Sequence, residues 1–141
     1  MTRKLHRIGY LDNQDQALQD ILETLIQKEF RESDTVYNRC HLVVQPSDFA
    51  LTYTLHSQDY DAVIMNVGMN MRARLDTVET LRREKPRVPV IMYTGRDLHE
   101  VQQEVMAREL NHVYCIQRPG EDTQELTDLL KKLLASGHVA A

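Results

Sequence analysis

The chain has 141 residues, a formal net charge of -4 at pH 7, 42% hydrophobic residues and 27% charged residues. That is enough chain for one domain with a proper core, in the proportions of an ordinary globular protein. An acidic sum without a basic stripe argues against a nucleic-acid surface, and no run approaches the roughly 18 to 20 apolar residues of a membrane span.

Met1-Thr2-Arg3-Lys4 leads into no apolar signal segment, and Cys40 and Cys115 lie far apart without CxxC or Cys/His spacing. The expected setting is cytoplasmic, with free thiols. Ile8-Gly9-Tyr10-Leu11 reads as the first strand, closed by Asp12-Asn13. Leu18, Ile21, Leu22, Leu25 and Ile26 follow the stripe of an amphipathic helix. Arg31 to Cys40 is polar and aperiodic, which predicts a loop. Leu42-Val43-Val44 is a second strand, and Ser47 suits the N-cap of a helix presenting Phe49, Ala50, Tyr53 and Leu55.

Ala62-Val63-Ile64-Met65 is continuously apolar, as a strand covered on both faces must be, and it runs out at Asn66. Val78 and Leu81 mark a helix that stops before Pro86. Arg72, Arg74, Arg82, Arg83, Lys85 and Arg87 gather over this loop and helix and read as a solvated face. Val88 to Tyr93 forms a fourth strand, ending in Thr94-Gly95. Asp97 and Glu100 have capping-box spacing, opening a helix with Leu98, Val101 and Val105 on one side. Val113 to Ile116 is a fifth strand, ending at Arg118-Pro119. Asp122 and Glu125 repeat the capping arrangement before the regular stripe Leu126, Leu129, Leu130, Leu133 and Leu134. The expectation is a single domain over residues 1–141, helical to about 135, with a short frayed tail from Ser136.

Strand and helix alternate five times, which implies an α/β fold with a parallel sheet between helical layers. Chemistry in such folds gathers outside the carboxyl ends of the strands. That singles out Asp12 and Asn13, Asn66, Thr94, and Arg118 with Pro119.

At those strand ends the chain resembles the receiver domains of bacterial two-component signalling, of the chemotaxis response-regulator type. The resemblance runs from about Arg7 to Leu134. It implies a flavodoxin-like doubly wound (βα)5 fold with strand order 2-1-3-4-5. Family members carry an acidic pair after the first strand, where this chain has Asp12-Asn13. Their phospho-accepting aspartate follows the third strand in a pattern like D-x-x-M-P; here the stretch is Asn66-Val67-Gly68-Met69-Asn70. A Thr or Ser and a small residue end their fourth strand, as Thr94-Gly95 does here, and Lys-Pro ends their fifth, here Arg118-Pro119. The connection from Gly68 to Asp76 reads as longer than the family's. The aromatic reporter position of the fifth strand aligns with Cys115, beside Tyr114.

The departures imply a degenerate phosphorylation pocket of Asp12, Asn13, Asn66, Thr94 and Arg118. In the family the acidic pair and the acceptor aspartate hold Mg²⁺, a hard ion that favours carboxylate oxygens. An amide cannot serve as the nucleophile that a carboxylate is. The resulting expectation is a pseudo-receiver, with no enzyme activity and no cofactor, that acts through protein–protein contacts. Asp12 is open to three roles: residual metal ligand, helix cap with Asn13, or ion-pair partner of Arg118. Thr94 is expected to satisfy nearby backbone or Asn66. The implied surface for a protein partner or a homodimer is the face of the helix after the fourth strand, the fifth strand and the last helix, with Glu104, Arg108 and Tyr114. No direct contact with nucleic acid or membrane is expected.

Three rivals remain open in the sequence: a receiver still phosphorylated through a modified pocket, for instance on Asp12; a flavodoxin-like binder of a small ligand; and the regulatory domain of a longer transcription regulator. The histidines show no metal-ligand spacing. There is neither a Gly-x-Ser-x-Gly elbow nor a glycine-rich phosphate loop.

Overall fold

The computed structural model describes residues 4–12, 38–55, 57, 59–117 and 124–137. Five parallel strands, β1 (Lys4–Leu11), β2 (Asn38–Gln45), β3 (Ala62–Val67), β4 (Val90–Thr94) and β5 (Val113–Gln117), form one sheet in the order β2-β1-β3-β4-β5. The described helices are α1 (Asp48–Thr54), α2 (Met71–Glu84), α3 (Leu98–Ala107) and α4 (Gln124–Gly137). The predicted stripe from Leu18 to Ile26 falls outside the described residues, as do Asn13, Arg118, Pro119 and Asp122. Among the described residues no helix is long and apolar enough to cross a membrane.

The continuous apolar run of β3 is explained by its two covers. Successive side chains of a strand point to opposite faces. Ala62 and Ile64 join Ile8, Tyr10, Ile91 and Tyr93 under the Leu126, Leu130 and Leu134 stripe of α4. Val63, Met65 and Val67 join Leu11, Leu51, Leu75, Val78, Leu81 and Val101 on the opposite side, against α1, α2 and α3. Gly9 is needed on the second side. A Cβ there would lie 3.1 Å from the ring of Tyr60, whose hydroxyl is in turn held by Gln45 Nε2 at 2.9 Å and Thr54 Oγ1 at 2.8 Å.

Several local expectations are corrected. Asn38 to Cys40 belongs to β2 and pairs with β1 from Lys4↔Asn38 onward; cross-strand pairing overrides the polar, aperiodic sequence. The helix α2 already begins at Met71, so Asp76 lies inside it and only Met69 and Asn70 separate Gly68 from the helix. The last helix continues to Gly137, through Ser136. Ser47 does cap α1, its Oγ accepting from the Ala50 N–H at 3.0 Å, and Leu55 of the expected set is buried at the helix's C-cap, but within α1 the buried residue is Leu51 and not Phe49 or Tyr53. Phe49 and Tyr53 are 78% and 75% exposed, their rings stacked with centroids 6.1 Å apart. Both stripes have helical spacing in a helix of under two turns, so periodicity alone does not select between them.

The basic cluster is divided by burial. Arg72, Arg83 and Arg87 are exposed, and Lys85 pairs with Asp59 at the surface. Arg74, by contrast, is 2% exposed. Its Nη1 meets Asp48 Oδ2 at 2.7 Å and its Nε donates to the carbonyl of Asn66 at 3.1 Å. Thr77 Oγ1 completes the carboxylate by donating to Asp48 Oδ1 at 2.6 Å. One guanidinium therefore ties the first turn of α1 to the first turns of α2 and to the exit of β3. Arg82 does comparable work at the other end of the sheet. It is half-buried and donates to the carbonyls of Asn111, Lys85, Val88 and His112, and burial lowers its pKa from the ordinary arginine value.

Two stability predictions follow from the corrected packing. Leu51→Ala should cost about 3 kcal/mol in urea unfolding, as deletion of a buried leucine side chain does, whereas Phe49→Ala should change stability by less than about 0.5 kcal/mol. Asp48→Ala leaves the Arg74 guanidinium buried without its counter-charge, and a loss of about 3 kcal/mol is expected; a loss below about 0.5 kcal/mol would contradict the role given to the pair.

Candidate functional site

Parallel register aligns the carboxyl ends of the strands. Leu11 pairs with Gln45 on one side and Met65 on the other; Val67 pairs with Thr94, and Thr94 with Gln117. Asp12 and Asn66 each come one residue after the Leu11–Met65 pair, so they leave the sheet side by side, with Thr94 on the next strand. The sheet thus brings together Asp12, Asn66 and Thr94 of the sequence-predicted set.

Asp12 is buried. Its backbone N–H donates to the Gln45 carbonyl at 3.1 Å, and one carboxylate oxygen, Oδ2, accepts from the Tyr10 hydroxyl at 2.6 Å. Residues two apart in a strand share a face, which is how a phenol inside the α4-side core reaches the carboxylate at the strand exit. A hydrogen bond between a phenol and a carboxylate is charge-assisted and short. Asn66 is half-buried, and its carbonyl is held by Arg74 Nε. Immediately after it, the Gly68 N–H donates to Asn70 Oδ1 at 3.1 Å, which folds the connection into α2 back on itself.

Thr94 is fully buried. Its Oγ1 accepts from the Arg96 N–H at 2.8 Å, while the Gly95 N–H donates to the Val67 carbonyl at 2.9 Å. The hydroxyl is thereby engaged by its own connection, as expected of a threonine that satisfies nearby backbone. Asp97 caps α3, its Oδ1 accepting from the His99 N–H at 2.9 Å. Glu100, expected to complete a reciprocal capping box, pairs with Arg96 at 2.5 Å. Among the described residues, no three His, Cys, Asp or Glu side chains are grouped so as to hold a metal ion.

The residues expected on a partner surface lie on α3 and β5. Glu104 is exposed on α3, and Tyr114 is 36% exposed on β5. Arg108, at the end of α3, turns back toward α2. Its Nη1 lies 2.7 Å from Asp76 Oδ1 and 3.6 Å from Glu79 Oε1, and the hydrogen bond to Asp76 raises its pKa above the ordinary arginine value. Cys115, next to Tyr114 on β5, is half-buried against the core that includes Val101 and Val105, and desolvation pushes its thiol up to about 11, so it stays protonated at neutral pH.

Three residues around the site escape sequence reasoning: Tyr10, Arg74 and Gln117. Tyr10 carries a signal, since strand alternation places it on the face of Asp12. Arg74 carries one too, because it lies three residues after buried Met71 and four before buried Val78. Gln117 belongs to no motif. It is the last residue of β5, and its side chain reaches the carbonyl of Thr94 and the N–H of Leu98.

Among known proteins, the family model described as the response regulator receiver domain matches residues 13–131. No curated protein matches the sequence. Solved structures of similar fold include TrrA from Thermotoga maritima in complex with Mg²⁺ and BeF (18% identity, 91% of this chain and 98% of that one, TM-score 0.69). The chemotaxis protein CheY4 of Vibrio cholerae is similar at 14% identity (92% and 99%, TM-score 0.70). The receiver domain of an HD domain-containing protein from Pseudomonas fluorescens Pf-5 is similar at 17% identity (96% and 99%, TM-score 0.73). At such identities these structures speak for the fold, and the family match carries the assignment: this chain belongs to the response regulator receiver domains.

Proposed function

We propose that this receiver domain, a single unit over residues 1–141, is a pseudo-receiver that signals by binding protein partners without accepting a phosphoryl group. The observation that carries the reading is Asn66. It occupies the exit of the third strand, where the family resemblance puts the phospho-accepting aspartate. The amide has its nitrogen lone pair delocalised into the carbonyl and carries no charge, so it lacks the nucleophilicity with which a carboxylate attacks phosphorus.

The surroundings support the same reading. Mg²⁺ asks for hard oxygens in near-octahedral array, usually including carboxylates. Asp12 is the one carboxylate that the three family positions supply here, Asn13 and Asn66 being amides, and its Oδ2 already receives a proton donor from Tyr10. That donor set does not suit the ion. Thr94, the residue that would contact a phosphoryl group in an active receiver, has its hydroxyl engaged with the Arg96 N–H. An ion pair of Asp12 with Arg118 remains part of the proposal for the degenerate pocket.

Without a phosphoryl group to favour one packing over another, the domain rests in one state or is biased by a bound partner. The face of α3, β5 and α4, with Glu104, Arg108 and Tyr114, is the proposed contact surface for a signalling partner or a second copy of the chain. No catalytic residue is assigned and no cofactor is required; the domain works in the cytoplasm.

Incubation with acetyl phosphate and Mg²⁺ followed by intact-mass measurement tests the reading. The wild-type chain is expected to gain no phosphoryl group, and a clean single addition would overturn the proposal. Asn66→Asp supplies the nucleophile but leaves Asn13 in place of an acid, so labelling of this variant should stay incomplete. Full labelling would mean that the pocket needs less negative charge than argued.

A further inference from the structure

Between β4 and α3 stand only Gly95, Arg96 and Asp97, and most of the backbone N–H groups around this connection are accounted for. Gly95 donates to Val67, Arg96 to Thr94 Oγ1, and His99 to Asp97 Oδ1. The Leu98 N–H is one of the donors that a helix start leaves without a partner inside the helix. It is taken by a residue from another strand: Gln117 Oε1 accepts it at 3.0 Å. The other end of the same amide, Nε2, donates to the carbonyl of Thr94 at 3.0 Å.

A side-chain amide carries a donor and an acceptor at one tip, and here the two grip both ends of a single connection. The assignment is fixed by chemistry, because a carbonyl must receive the Nε2 hydrogens and an N–H must meet Oε1. Gln117 itself is exposed on the edge strand β5, so the grip is within reach of solvent and of anything that docks there.

We propose that Gln117 is a latch, a positioning residue that holds the β4–α3 connection shut with the Thr94 hydroxyl turned into it and the first turn of α3 pinned to β5. Release of the Gln117 side chain is the event that frees this segment to move. The proposal concerns the resting conformation and does not depend on whether the pocket accepts phosphate.

The test is amide exchange and relaxation-dispersion NMR on the full chain, with a thermal melt as the folding control. Gln117→Leu removes both contacts. Exchange at the Leu98 N–H should rise roughly fivefold, as loss of a single ordinary hydrogen bond predicts, while the Val101 N–H, bonded within the helix region to Asp97, stays unchanged. Gly95 and Arg96 should show two-state exchange broadening that the wild type lacks, a readout that a merely packing role would not move. Gln117→Glu keeps an oxygen for the Leu98 N–H and loses the donor to Thr94, so it should leave Leu98 protected and still broaden Gly95. Folded Gln117→Leu protein with wild-type exchange at Leu98, or with no broadening at Gly95 and Arg96, would overturn the latch.

Discussion

A guanidinium buried away from water destabilises a fold unless charge and hydrogen bonds surround it. Arg74 has a carboxylate from α1 for its Nη1 and the Asn66 carbonyl from β3 for its Nε, while its Nη2 is buried without a hydrogen-bond partner among the described residues, and the arrangement of this end of the molecule depends on those two contacts. Asp48 stands in the first turn of a helix capped by Ser47, where a negative charge is favoured. It is placed there to face α2. The short run from Gly68 to Asn70 then has little freedom, with Arg74 beyond one end and the Gly68–Asn70 contact inside it. The backbone of Asn66 is therefore held by a buried charge pair.

The other strand exits follow the same economy of contact. At β1 the Tyr10 phenol reaches Asp12; at β4 the Thr94 hydroxyl is closed onto Arg96; at β5 the Gln117 amide spans the connection above it. At these three exits a polar group that could meet a ligand meets a neighbour. A receiver that switches needs two packings of nearly equal free energy and a ligand that binds one of them better. The contacts around Asp12 and Thr94 hold this packing, and under the proposed pseudo-receiver reading a cation and a phosphoryl group would have no means to favour another.

The fold was legible in the sequence wherever burial leaves a periodic trace. The apolar run before Asn66, the leucines of the last helix and the Ser47 cap all translate directly into β3, α4 and α1. Failures came where two patterns compete or where a tertiary contact overrules a local one. Phe49 and Tyr53 have the spacing of a buried stripe as surely as Leu51 and Leu55, and only the sheet beneath α1 decides between them. Asn38 to Cys40 looks like loop until β1 offers it backbone partners. Arg74 resembles its exposed neighbours Arg72 and Arg83 in type, and differs from them only in the face of the helix it occupies. At the site, residue type at the strand ends identified Asp12, Asn66 and Thr94. The partners that fix their conformation, Tyr10, Arg74 and Gln117, come from outside any motif: Tyr10 and Arg74 leave only a face-sharing trace in the sequence, and the contact of Gln117 with a neighbouring strand leaves none.

The central claim is that the crevice at these strand ends carries too little negative charge, and the wrong group at position 66, to assemble a metal–phosphoryl complex. The most direct measurement is fluorine NMR of the protein with Mg²⁺ and beryllofluoride, which mimics a phosphoryl group held on a carboxylate. The account predicts only the signals of free beryllium fluorides across the titration. Bound fluorine resonances that appear with Mg²⁺ and saturate at one equivalent of protein would contradict it.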